Sequence, residues 1–233
     1  MTIAERWAAV KARVEAACER AGRPAAEVTL IAVSKTHPAD AIREAFAAGA
    51  TDFGENYAQE LATKTAELAA APPVAAAARA LRWHYIGRLQ RNKAKLVAGK
   101  VALVHAVDTV DLAEELAKRA GGVIQPILLA VNLAGEATKG GITGDEAPAV
   151  AAALAQVAGC SLDGLMTMPP PSDDPEASRP YFEGLRALRD QLAAQLGRPL
   201  SVLSMGMSHD FEVAIACGAT HVRVGTAIFG SRG

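Results

Sequence analysis

The stretch Thr29-Leu30-Ile31-Ala32-Val33-Ser34-Lys35 is mostly apolar and partly β-branched, and it runs straight into a lysine, with His37-Pro38 directly behind it. That is the pattern of a buried parallel strand whose C-terminal end delivers an amine into an open site. Alternation places Thr29, Ile31, Val33 and Lys35 on one face, so the amine shares apolar neighbours. A lysine normally titrates near ~10.4, and apolar surroundings lower that value by disfavouring the charged form. The free amine is the form that condenses with carbonyls. Taken alone, the stretch reads first as a strand-end lysine that snorkels to water.

Working outward, the same unit recurs. Residues 2–21 carry Ile3, Trp7, Val10 and Val14 at helical spacing and stop at Gly22, with Pro24 beyond. After the opening strand, a helix starts at Pro38 and stops at Gly49. Further strands are predicted at 51–56, 81–87, 101–108, 123–132, 161–169, 201–206 and 221–230. Between them lie helices at 57–70, 89–97 (basic), 109–120, about 144–157, 174–196 and 209–217, with a loop at 71–80. Eight strands alternating with helices define an α/β fold, a single (β/α)8 TIM barrel over residues 1–233, with the N-terminal helix covering the gap left after the eighth strand. Gly49-Ala50-Thr51 and Gly218-Ala219-Thr220 echo one another where a helix gives way to a strand. The rival, an open doubly wound sheet, lacks its G-x-G-x-x-G after the first strand.

Composition narrows the functional classes. With 51% hydrophobic residues among 233, the chain can bury a large core, and a net charge of -1 provides no field for nucleic acid or an anionic membrane. Cys18, Cys160 and Cys217 are far apart and fit a reducing compartment without disulfides. The first ten residues lack the form of a signal peptide, and no run approaches the ~18 apolar residues of a membrane span. A cytoplasmic protein is expected.

In a barrel the active face lies at the C-terminal strand ends. Those positions are Lys35, Asn56, His84, Asn132, Met168, Ser204 and Arg223. The segments SMGMS (204–208) and RVGT (223–226) fall where barrels commonly bind phosphate. Ser204, Ser208 and Thr226 offer hydroxyls, Gly206 and Gly225 allow close backbone approach, and a helix starting near His209 would point its positive end inward. Ser208 is equally readable as a helix N-cap, and the glycines as turn residues. His84 alone reads as a satisfied core histidine before it reads as a catalyst. Arg88, Arg91, Lys93 and Lys95 suit one solvated helix face, without the aromatics of a nucleic-acid surface. Met166 and Met168 fit packing at the mouth. Glu136 and Lys139 line the site or pair with each other, and the sequence does not choose.

The segments AVSKTHP, DFGENY, WHYIGRLQRNK, VNLAGEATKGG, GLMTMPP and LSMGMSHDFEVAIACGATHVRVGTAIFGSR occur in one order over nearly the whole chain. Together they resemble the pyridoxal phosphate homeostasis protein family. The resemblance implies a barrel like the N-terminal domain of alanine racemase, holding pyridoxal 5′-phosphate (PLP) as an internal aldimine on Lys35. It places Ser204, Ser208, Gly225 and Thr226 at the phosphate, Arg223 at the pyridine nitrogen, and Asn56 and His84 near the cofactor. It further implies vitamin B6 homeostasis and cofactor supply without established turnover, PLP-dependent apo-enzymes as partners, and a monomer, with a dimer as the alternative.

An arginine only donates hydrogen bonds, so it would keep the ring nitrogen unprotonated, a poor electron sink. Racemisation would need a base on the opposite face; in alanine racemase a tyrosine from the second domain of a partner subunit fills that role, and no such domain is expected here. A PLP-dependent racemase acting as a barrel alone is the alternative activity. A Schiff-base aldolase for phosphorylated sugars ranks below it, because the lysine lies on the first strand.

Overall fold

The computed structural model describes residues 1–70, 81–136 and 140–230. Strands β1 (Thr29–Val33), β2 (Asp52–Glu55), β3 (Arg82–Tyr85), β4 (Leu103–Val107), β5 (Gln125–Ala130), β6 (Cys160–Met166), β7 (Val202–Met207) and β8 (His221–Val224) form a closed parallel barrel in sequence order. β1 pairs with β8, with Thr29 opposite His221 and Ala32 opposite Val224, so the first and last strands close the ring. Both faces of each strand are covered, which is why these segments read as continuous apolar runs.

Helices α2 (Ala39–Ala47), α3 (Ala58–Ala70), α4 (Val110–Arg119), α5 (Ala147–Leu154), α6 (Arg179–Leu196) and α7 (Phe211–Ala216) pack outside the barrel. The N-terminal α1 (Ile3–Arg20) opens with a capping box between Thr2 and Glu5, a device worth roughly 1 kcal/mol. Its buried face, Trp7, Val10, Val14 and Ala17, lies against α2, α7 and the chain's last helix. Arg6 Nε donates to the Ile228 carbonyl at 2.8 Å and so ties the two ends of the chain together.

Several boundaries differ from the expected ones. The eighth strand stops at Val224 instead of running to 230. Gly225 turns into helical geometry (φ -113, ψ -79) and its carbonyl accepts from Ile228 and Phe229, starting a short helix α8 (Thr226–Phe229). A helix therefore does follow the eighth strand. The basic segment forms only a 3-10 helix, Arg91–Leu96. β5 starts two residues late, leaving Val123 and Ile124 exposed, and β6 ends before the prolines. The helix after β7 begins at Phe211, behind Asp210, so Ser208 is not its cap. The predicted loop 71–80 and Lys139 lie outside the described residues.

Candidate functional site

A cavity of about 380 Å³ opens at the C-terminal ends of the strands, within the size range of small-ligand pockets. Lys35, Asn56, Ser208, Arg223, Gly225 and Thr226 line it, together with Val33, Ile86, Asp108, Met166, Met168 and Met207. Closure of β1 on β8 explains how Lys35 and Arg223, from opposite ends of the sequence, share one wall: Gly225 lies so close to Val33 that an added Cβ would stand 3.4 Å from the valine's Cβ.

Lys35 sits just past β1 in a tight turn closed by His37 N–H on the Ser34 carbonyl at 3.0 Å. Thr36 has φ +66, the only left-handed non-glycine among the described residues. A β-branched residue there costs on the order of 1–3 kcal/mol, a strain held only where surrounding contacts over-determine it. Here they do. Ser34 Oγ donates to Glu55 Oε1 at 2.6 Å, and Thr36 N–H donates to Glu60 Oε1 at 2.5 Å. Burial raises the pKa of Glu55, while hydrogen bonds from Lys64 and Ser34 oppose that rise.

Arg223 is almost fully buried, and burial lowers its pKa to about 10, which leaves it charged at neutral pH. Its Nη1 donates to Ser204 Oγ at 2.5 Å and its Nη2 to the Thr167 carbonyl at 3.1 Å, both uncharged acceptors. Behind it, Ser204 Oγ meets His105 Nδ1 at 2.7 Å, His105 Nε2 meets His84 Nδ1 at 2.9 Å, and His84 Nε2 meets Asp52 Oδ1 at 2.9 Å. With both imidazoles neutral, one arrangement satisfies every group. The guanidinium only donates and the carboxylate only accepts, so protons point from Arg223 through Ser204, His105 and His84 to Asp52. Burial lowers the pKa of His105 well below the usual histidine range. Burial alone would raise that of Asp52, but hydrogen bonds from His84 and Thr51 outweigh it and the net shift is downward.

Just past the ends of β7 and β8, Ser208 Oγ accepts from Gly225 N–H at 3.2 Å, which holds the two loops together beside the Thr226 hydroxyl. Asn56 Oδ1 is buried and has no hydrogen-bond partner among the described residues. The Asn56 carbonyl is fixed by the Tyr85 hydroxyl at 2.9 Å, and burial pushes that phenol up to about 12.

The structure therefore brings together Lys35, Asn56, Ser208, Arg223, Gly225 and Thr226. It sets His84 and Ser204 one layer lower, inside the barrel and both fully buried, where they reach the cavity only through Arg223. Gly206 does not line the cavity either. Its φ of +91 and a prospective Cβ 2.6 Å from Ala214 Cβ explain the glycine by packing. Asn132 turns aside, donating from Nδ2 to the Glu136 carbonyl at 2.8 Å. Arg88 belongs to the cavity wall and not to a solvated helix face, and Ile86, Asp108 and Met207 were not singled out from the sequence. Asp108 closes the fourth strand in sequence, a position that strand-end reading could have marked.

These residues fit PLP. A lysine amine suits an aldehyde, and a buried cation that hydrogen-bonds no carboxylate among the described residues suits a ring-nitrogen lone pair. Paired hydroxyls at the loops after β7 and β8 suit a phosphate. The orphaned Asn56 Oδ1 provides one open acceptor.

Fold and site define a class: the alanine racemase N-terminal domain family matches residues 6–233. The chain is 44% identical over 234 residues to the pyridoxal phosphate homeostasis protein of Aquifex aeolicus, covering 100% of this chain and 99% of that one. It is 46% identical over 233 residues to the protein of the same name from Pseudomonas aeruginosa, covering 99% and 96%. Among solved structures it resembles PipY of Synechococcus elongatus with PLP bound, at TM-score 0.83 and 38% identity over 98% of this chain and 100% of that one. The chain belongs to the pyridoxal phosphate homeostasis protein family. No described helix is long and apolar enough to cross a membrane.

Proposed function

We propose that the cavity holds PLP covalently on Lys35 and that the protein is a cytoplasmic, single-domain carrier that supplies PLP-dependent apo-enzymes without turning over a substrate of its own. The observation that carries this reading is the single cavity shared by Lys35, the buried Arg223 and the Ser208–Gly225–Thr226 hydroxyl and backbone cluster. The PLP-bound state of PipY supports it. In this reading Lys35 takes the aldehyde carbon, Arg223 donates to the ring nitrogen, and Ser208, Gly225 and Thr226 hold the phosphate. His84 and Ser204 serve the cofactor indirectly, by fixing Arg223.

When bound, PLP supplies an electron sink for carbanion chemistry, strongest with a protonated ring nitrogen. Arg223, charged and able only to donate, leaves that nitrogen without a proton. The residues thus favour holding over turnover. Purified protein supplied with PLP is expected to show the visible absorbance of cofactor condensed with an amine, and borohydride should trap it on Lys35. Lys35→Ala should abolish both. An unchanged spectrum in Lys35→Ala would remove Lys35 from this role.

A further inference from the structure

Lys64, on α3, is a second lysine near the site, and it is buried: its side chain is 6% exposed. Its ammonium donates to the Ser34 carbonyl at 2.7 Å, to Glu55 Oε1 at 2.6 Å and to Glu60 Oε1 at 2.6 Å, so all three of its protons are used. The same carboxylate oxygens accept from the residues on either side of Lys35. Glu55 Oε1 takes the Ser34 hydroxyl and Glu60 Oε1 takes the Thr36 N–H. One ammonium and two carboxylates therefore hold the peptide before Lys35 and the left-handed residue after it. A methionine at 64 would fill similar volume and pack α3 on the barrel without any charge to desolvate. What it could not do is hold this turn.

We propose that Lys64 is a positioning residue for Lys35: the Lys64–Glu55–Glu60 cluster latches the Ser34–Thr36 turn in the conformation that aims the Lys35 amine into the cavity, and it thereby sets how long PLP is retained. This rests on Lys35 as the residue that holds PLP. Among the described residues that line the cavity, none belongs to the cluster, so its influence passes through the backbone of the turn.

The test uses the full-length protein loaded with PLP, following release to a scavenging apo-enzyme together with the fraction trapped on Lys35 by borohydride. Lys64→Met/Glu55→Gln removes the ammonium and the carboxylate that hold Ser34 with charge kept in balance, and Glu60→Ala removes the anchor of Thr36. Both are expected to release PLP roughly tenfold or more faster than the unmodified protein. Thr36→Gly, added to Lys64→Met/Glu55→Gln, should recover much of the loss, because glycine adopts the left-handed conformation unaided. A general loss of stability would not be rescued at that one position. If the double variant does not fold, Glu60→Ala, whose carboxylate is partly exposed, decides alone. Release within about twofold of the unmodified protein in the folded variants, or no recovery with Thr36→Gly, overturns the latch while leaving the Lys35 site intact. Absence of the trapped cofactor in the unmodified protein overturns the site and the latch together.

Discussion

Arg223 shows how much one side chain depends on atoms that never meet a ligand. Its Nη1 rests on Ser204 Oγ, whose own proton goes to His105 because the Asp52 carboxylate, able only to accept, sets the direction of the chain from its far end. The one-way arrangement predicts that both His84 and His105 carry their proton on Nε2. Nitrogen-15 shifts of the two rings check this directly, and an Nδ1–H form at either would break the chain. Ser204→Ala strips an acceptor from Arg223 and a donor from His105, both buried. At about 1–3 kcal/mol for each of the two orphaned groups, denaturant unfolding should show a loss of roughly 2–6 kcal/mol. The residues flanking Lys35 were legible from the sequence only in part. Ser34 and Thr36 are visible neighbours, but Lys64 reads as an ordinary surface partner of Glu60 at i,i+4, and burial alone reveals its second role.

At the level of elements, the strands were legible because parallel strands buried on both faces leave continuous apolar runs. Their ends were less so. Alternation tells which face a residue takes, not how far up the barrel it stands, since depth is set by strand stagger. His84 and Ser204 were therefore expected at the mouth, where Ile86 and Met207-Ser208 stand instead. The turn out of β8 was missed for a related reason: apart from Thr226, Val224 through Phe229 carries no polar side chain, and only the helical geometry at Gly225 ends the strand. Gly87 is the clearest case of a close approach between elements. A Cβ there would lie 2.2 Å from the Asn56 carbonyl oxygen, so the segments after β2 and β3 touch through bare backbone. Gly87→Ala must part them, costing about 2–4 kcal/mol by the usual measure of severe overpacking. Thermal unfolding gives the stability, and PLP titration should show weaker binding because Asn56 moves with its backbone.

For the whole molecule, the barrel's interior holds three imidazoles, His84, His105 and His221, with ring centroids 5.2 to 6.1 Å apart. Burial pushes His221 down to about 3, with His84 adding to the shift. Its usual value of 6.5 applies in the unfolded chain, so between these limits the unfolded state binds more protons than the folded one. Stability then rises with pH across that window and is lost on acidification, by up to about 1.4 kcal/mol per pH unit for each such group. His105, shifted in the same direction, adds to the slope, as does Asp52 over the carboxylate range, whereas the raised pKa of Glu55 works against it. Unfolding midpoints measured from pH 7 to 4 should fall steadily, and His221→Phe should flatten the fall.

Pairing β1 with β8 has a consequence for how the protein comes into being. A chain is made from its N-terminus, and early segments leave the ribosome while late ones are still unwritten. Lys35 emerges long before Arg223, so the nascent lysine at first has neither the loops after β7 and β8 nor the guanidinium beside it. If Lys35 holds PLP as proposed, capture waits for the slow, long-range contact that closes the ring. On the proposed role of Lys35, a half-made barrel is thereby spared a premature cargo, and loading becomes a report that the ring has closed.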